Sequence, residues 1–163
     1  MCTGSGCIII SLAKLGGLGV AEAVDISKLA LEIAAKNALR NEVKINFIES
    51  NLFEKVEGNY DIIVSNPPYI PTEVIKTLMP EVRLHEPILA LDGTEDGLEF
   101  YRRISSEAKR FLKQGGYLFF EIGHDQGEEV KHILTQEGYA DIYVKQDLSG
   151  LDRVVIGKRI SPT

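Results

Sequence analysis

The chain has 163 residues, 44% hydrophobic and 26% charged, with a formal net charge of −6 at pH 7. That length suits one domain with a substantial core, and the acidic balance argues against non-specific nucleic-acid binding, which leaves a basic footprint. No apolar run approaches the roughly 20 residues that cross a bilayer, and no basic segment with a cleavage site opens the chain, so a cytoplasmic location is the default expectation.

Cys2-Thr3-Gly4-Ser5-Gly6-Cys7 is a glycine-rich turn that opens a helix predicted over 5–15, which Gly16-Gly17 stops. Such a turn permits close approach of backbone to a ligand, but alone it serves chain geometry as readily. The two cysteines have no matching Cys or His cluster, so they read as reduced thiols, and no metal site is expected. A strand over 20–25 ends on Asp25. An acid there holds ribose hydroxyls in α/β nucleotide folds; a solvated strand end or a helix cap is the other reading. Ser27 caps the next helix, where Leu29, Ala30, Ile33, Ala34 and Ala38 share one face. A short strand over 44–49 leads to Asn51-Leu52-Phe53, a place for an adenine.

The strand predicted over 60–65 runs into Asn66-Pro67-Pro68-Tyr69. Two prolines remove two backbone donors and cannot continue a strand, so the chain leaves the sheet in a stiff corner. The corner presents one amide (Asn66), carbonyls without competing N–H groups, and an aromatic plate (Tyr69). These are the parts of a receptor for a flat NH₂-bearing group. Residues 70–96 form an irregular stretch whose length marks a lid or substrate-binding segment. Within it, Arg83 and Glu86 read as a loop-stapling ion pair or as the rim of a substrate channel.

Leu98, Tyr101, Ile104, Ala108 and Phe111 give a helical stripe ending at Gly115-Gly116. A strand over 117–122 and a helix over 126–136 follow, the latter with Glu128-Glu129 in its first turn, where the dipole favours acids. The strands over 142–147 and 153–158 are joined too closely to be parallel. Elements alternating this way predict a doubly wound α/β fold, mostly parallel, with an antiparallel last strand.

Glycine spacing separates the cofactor classes. The dinucleotide fingerprint needs a third glycine three positions after Gly6, where Ile9 stands, and no P-loop motif occurs. A ribose–adenine ligand without phosphates fits better, and S-adenosylmethionine is one.

With this glycine turn, Asp25, Asn51 and Asn66-Pro67-Pro68-Tyr69 in order, the chain resembles the class I S-adenosylmethionine-dependent methyltransferases with a Rossmann-like sheet. The segments 80–87, 92–98, 119–127 and 147–153 make it similar, from Met1 to about Arg159, to the peptide chain release factor glutamine methyltransferases. The resemblance implies methylation of the glutamine side chain in the Gly-Gly-Gln motif of release factors, with S-adenosylhomocysteine as product. It implies that Thr3, Gly4, Gly6, Asp25, Ile26, Asn51, Leu52 and Asn66 hold the cofactor. Asn66, Pro67, Pro68 and Tyr69 would hold the substrate amide, with Asn66, Pro67 and Tyr69 catalytic.

Two features depart from the family. Its members usually carry Asp where this chain has Asn51. They also place a strand, and before it a helical domain that recognises the release factor, ahead of the position of Cys2. The expectation is therefore a single methyltransferase catalytic domain over 1–163, its sheet without that first strand, with oligomerisation as one way to cover the edges left open. A DNA or RNA base amino methyltransferase, or an inactive remnant that binds cofactor weakly, are the rival readings. His85, His124 and His132 read as surface or packing residues.

Overall fold

The computed structural model describes residues 1–83 and 85–161. Leu84, inside the 80–87 motif, and Pro162 and Thr163 lie outside the described residues. The chain divides into two compact units, Met1–Glu57 and Gly58–Thr163.

The first unit runs α1 (Cys7–Gly16), β1 (Glu22–Asp25), α2 (Lys28–Arg40) and β2 (Asn46–Glu49). Gly17 ends α1 in the left-handed region at φ 59, the usual glycine stop. Ser27 Oγ accepts the Ala30 N–H at 3.2 Å and caps α2, as its position before the helix predicts. The strands β1 and β2 are parallel, with Glu22 opposite Asn46 and Asp25 opposite Glu49. No strand precedes α1 among the described residues. The Val24 carbonyl, which points away from β2, accepts the Thr3 N–H at 3.0 Å.

The buried face of α2 differs from the expected stripe. Leu31, Ala34 and Ala38 are inside, while Leu29 and Ile33 are 67% and 44% exposed. Small side chains decide this: a Cβ built on Gly6 would stand 3.0 Å from the Ala34 Cβ. Contact that close is possible only along the line of Ala34 and Ala38, so the larger residues one step round the helix turn outward.

The second unit begins with β3 (Tyr60–Ser65), at the bounds its apolar run predicts. Three short helical turns follow, α3 (Thr72–Ile75), α4 (Pro80–Arg83) and α5 (Ile88–Leu91), then α6 (Glu99–Ala108), β4 (Leu112–Glu121), α7 (Gly127–Gln136), β5 (Tyr139–Gln146) and β6 (Asp152–Arg159). Strand order is β3-β4-β6-β5. The β3–β4 pair is parallel, while β6 is antiparallel to both β4 and β5. The mixed α/β sheet with an antiparallel last strand is as expected.

Gly115-Gly116 do not end the preceding helix. The helix stops at Ala108, and the glycines sit inside β4, where the pairing jumps from Tyr60–Leu112 to Ile62–Tyr117. Gly115 takes φ 77, and a Cβ on Gly116 would meet the Asp61 and Lys113 carbonyls at 2.9 Å. A glycine bulge of this kind lets one strand carry extra residues without breaking its ladder.

The core of this unit is dense. Tyr101, Ile104 and Ala108 of α6, Leu118 and Phe120 of β4, Ile122 just beyond it, Val130 and Leu134 of α7, and Val155 of β6 are all 0% exposed. Tyr101 meets Phe120 edge to face, with centroids 5.1 Å apart and planes at 83°, a favoured aromatic geometry. No helix among the described residues is long and apolar enough to cross a membrane.

Candidate active site

In the first unit the expected cofactor residues gather at the C-terminal end of the β1–β2 pair. Asp25 ends β1, and its carbonyl accepts the Ser50 N–H at 3.0 Å, which places Asn51 two residues past the neighbouring strand end. The Asp25 carboxylate accepts the Gly4 N–H on Oδ2 at 2.8 Å and the Ser27 N–H on Oδ1 at 2.9 Å. It therefore braces the glycine turn and the start of α2 together. A carboxylate has about four lone-pair sites, so two acceptor positions remain for ligand hydroxyls. Ile26, next in the chain, is 51% exposed and offers an apolar plate beside them.

The two glycines of the turn are not equivalent. Gly4, at φ +53, has nothing within 4 Å of the position of a Cβ, whereas the corresponding position on Gly6, at φ +83, is crowded by Ala34 and Ile10. Gly6 is required by helix packing, while the space over Gly4 is open to a ligand. Thr3 is tied through its N–H to β1. Asn51 donates Nδ2 to Glu54 at 2.7 Å, which leaves its carbonyl oxygen as an acceptor suited to an exocyclic amine. Leu52 is buried at 4% exposure, with φ 49. Ribose hydroxyls on Asp25, an adenine amine on Asn51 and close approach over Gly4 make this donor and acceptor set fit a nucleoside.

In the second unit the chain leaves β3 through Ser65, buried at 1% exposure, into the proline corner. Pro67 and Pro68 are buried, while Asn66 and Tyr69 are half-buried. Neither the Asn66 side chain nor the Pro67 carbonyl has a hydrogen-bond partner among the described residues. Two adjacent acceptors without a protein partner at a strand end form a candidate receptor for N–H donors. Burial, followed by the nearby Glu121 carboxylate, pushes the Tyr69 phenol above its ordinary range, against the opposing charge of Arg153. Tyr69 therefore stays neutral.

Three segments hold the corner from behind. Ile70 bridges to Asp92, with its N–H donating to the Leu91 carbonyl at 3.0 Å and its carbonyl accepting the Gly93 N–H at 2.9 Å. Asp92 Oδ1 accepts from Thr72 Oγ1 at 2.7 Å and from the Thr94 N–H at 2.9 Å. Gly93 lies so close that a Cβ would stand 2.7 Å from the Tyr69 Cα, and one on Gly97 would collide with the Tyr69 carbonyl. Gln126, ahead of α7, donates Nε2 to that carbonyl at 3.0 Å. The irregular stretch is thus in part a buttress.

Sequence reasoning missed Gly93, Gly97, Tyr101 and Gln126 as site residues. The signals present were two glycines four apart in a long loop and a lone amide before a helix. The expected Arg83–Glu86 pair does not form; the Arg83 guanidinium donates instead to the Lys76 carbonyl at 3.4 Å. His85, His124 and His132 are all exposed, and Cys7 is exposed while Cys2 is half-buried.

Residues 1–81 match the family described as the methyltransferase small domain. The chain is 47% identical over 159 residues to a release factor glutamine methyltransferase of Agrobacterium fabrum, covering 96% of this chain and 55% of that protein. To the release factor glutamine methyltransferase of Fusobacterium nucleatum it is 44% identical over 160 residues, covering 96% and 45% respectively. A methyltransferase crystal structure from Pyrococcus furiosus matches with a TM-score of 0.74 at 18% identity, covering 98% of this chain and 72% of the other. The chain spans about half the length of the curated relatives it matches. Over nearly its whole length the chain is similar to release factor glutamine methyltransferases, and its fold is that of the methyltransferase structure it matches.

Proposed function

We propose that this chain transfers a methyl group from S-adenosylmethionine to the side-chain amide nitrogen of the glutamine in the Gly-Gly-Gln motif of peptide chain release factors. The observation that carries the reading is the pair of unpartnered acceptors, Asn66 Oδ1 and the Pro67 carbonyl, at a buttressed strand end. The relatives' shared name selects a release factor over a nucleobase as the source of the amide, and the net charge of −6 agrees with that choice.

A carboxamide nitrogen is a poor nucleophile because its lone pair is delocalised into the carbonyl. Asn66 and Pro67 accept its two N–H protons, which fixes the nitrogen and turns its face toward the incoming carbon. Tyr69 stacks on the amide plane and offers its π face to the positive charge that develops. The bound cofactor supplies a sulfonium-activated methyl group, so positioning and electrostatics provide most of the acceleration. The nitrogen becomes acidic as it is alkylated and needs no dedicated base beforehand, in keeping with three exposed histidines. On the cofactor side, Asp25 would hold the ribose hydroxyls and Asn51 the adenine amine, with Ile26 and Leu52 beside the base, and Gly4 would leave room for the amino-acid portion. The chain acts in the cytoplasm on this reading, as one methyltransferase domain.

Mass spectrometry of a release factor incubated with the chain and S-adenosylmethionine tests this. The expected result is a methyl-sized increase on the Gly-Gly-Gln glutamine, slowed about 10²–10³-fold in Asn66→Ala, the usual cost of a lost electrostatic contact at a reacting centre. Undiminished methylation in that variant would refute the role of Asn66, and transfer to a nucleobase instead would refute the substrate.

A further inference from the structure

The side chain of Gln126 ties its own turn at Gly123 to two distant segments of the second unit, the proline corner and the Gly97–Tyr101 stretch. Its Nε2 donates to the Tyr69 carbonyl at 3.0 Å and faces the Gly97 carbonyl at 3.4 Å. Its Oε1 accepts the Gly123 N–H at 3.0 Å, with the Tyr101 hydroxyl at 3.4 Å. Tyr101 is itself 0% exposed, and its hydroxyl donates chiefly to the Glu121 carbonyl at 3.0 Å.

The chemistry of these neighbours calls for a donor and an acceptor side by side. Two backbone carbonyls can only accept, so the atom facing them must carry hydrogens. The Gly123 amide can only donate, so the atom facing it must be an acceptor. A primary amide supplies both in a single plane at any pH. The space is matched as closely: a Cβ on Gly97 would come within 3.0 Å of Nε2, and one on Gly123 within 2.9 Å of Oε1. Asp92 and Thr72 hold the corner from the far side of Ile70.

We propose that Gln126 is the positioning residue of the substrate corner, which fixes the Tyr69 carbonyl and so aims the Tyr69 ring and the Asn66–Pro67 acceptors at the substrate amide. The inference deepens the proposed function and rests on it for the identity of that substrate. Gln126 touches no reacting atom; it acts through the backbone of Tyr69. Small displacements of a positioned group cost about 10²-fold in rate, which sets the scale of the expected effect.

The discriminating variant is Gln126→Glu, made in the whole chain. It keeps the acceptor toward Gly123 and Tyr101 but replaces the donor with an oxygen. Ionised, that oxygen repels the Tyr69 and Gly97 carbonyls. Protonated, its O–H donates to Tyr69 and restores the link. Facing two acceptors with little water raises the introduced carboxyl above its ordinary range, so activity should fall as pH rises through that value. Tyr69 and Tyr101 are both pushed upward by burial and stay neutral in this window. Glu121, Asp125 beside Gly123 and Asp152 against Gly127 are common to variant and wild type, so the ratio of the two profiles isolates position 126.

The expected result is a kcat about 100-fold below wild type at alkaline pH, recovering on acidification, with KM for S-adenosylmethionine unchanged. Gln126→Ala should lose the same rate with no recovery. A Gln126→Glu profile parallel to wild type would overturn the inference. Hydrogen exchange supplies a readout that needs no catalysis. In Gln126→Ala the amides of Ile70, Thr72 and Gly93 should exchange at least tenfold faster, while those of Leu118 and Val155 keep their rates. Unchanged exchange at the first three overturns the positioning role. Should the wild type transfer no methyl group, the proposed function fails, and the exchange experiment still decides whether Gln126 holds the corner.

Discussion

The glycine turn of the first unit and the proline corner of the second are built on opposite plans. One carboxylate, Asp25, braces the turn through bonds to residues 21 and 2 positions away, and the space over Gly4 stays open. The corner is held by Gln126 from 57 residues away, by the Ile70–Asp92 bridge, and by two glycines pressed against Tyr69. On the proposed function, the difference follows the ligands. A nucleoside brings many polar atoms and tolerates an adjustable cradle, whereas a side-chain amide offers few contacts and demands acceptors fixed in advance.

The contrast can be broken at its base. The corner depends on the core beneath it, so Phe120→Ala should cost about 3–5 kcal/mol of stability, the range for a fully buried aromatic, read as a lower urea midpoint. A loss under 1 kcal/mol would mean that β4 does not carry the second unit as described. Next, Gly97→Ala adds both left-handed strain and a collision with the Tyr69 carbonyl, for roughly 1–3 kcal/mol. Methyl transfer should fall at least tenfold while calorimetric affinity for S-adenosylmethionine is kept.

Gly4→Ala sharpens the comparison from the other side. It meets no atom, so only the left-handed backbone is penalised, by about 1 kcal/mol. Cofactor affinity should drop instead, and affinity equal to wild type would remove Gly4 from the cradle. The smallest effect, and one of reversed sign, belongs to Ser65. Its buried Oγ has no hydrogen-bond partner among the described residues, so Ser65→Ala should leave stability unchanged or raise it by up to about 1 kcal/mol. A clear loss in thermal unfolding would contradict that.

Much of this architecture was legible along the chain because its causes are local. The run 60–65 followed by two prolines dictates a strand and a stiff exit, whatever surrounds it. Ser27 and Gly17 cap their helices by short-range bonds. The misread elements have non-local causes. Gly115-Gly116 look like a helix stop, yet they serve a bulge whose need arises only when β4 pairs with β3. The apolar stripe of α2 includes Leu29 and Ile33, but close packing through Ala34 turns them outward.

For the candidate site, residue types and order alone pointed to the flat-amide receptor and phosphate-free nucleoside cradle of the proposed function. These are properties of which atoms the chain carries at its strand ends. Tertiary structure decided how the corner is held, that Gly6 serves packing while Gly4 faces open space, and that the Gln126 amide meets both the Tyr69 carbonyl and the Gly123 N–H. The physical reason is reach: a hydrogen bond acts over about 3 Å, and Tyr69 and Gln126 come within that distance only after β4, α6 and α7 have closed a common core around Tyr101 and Phe120.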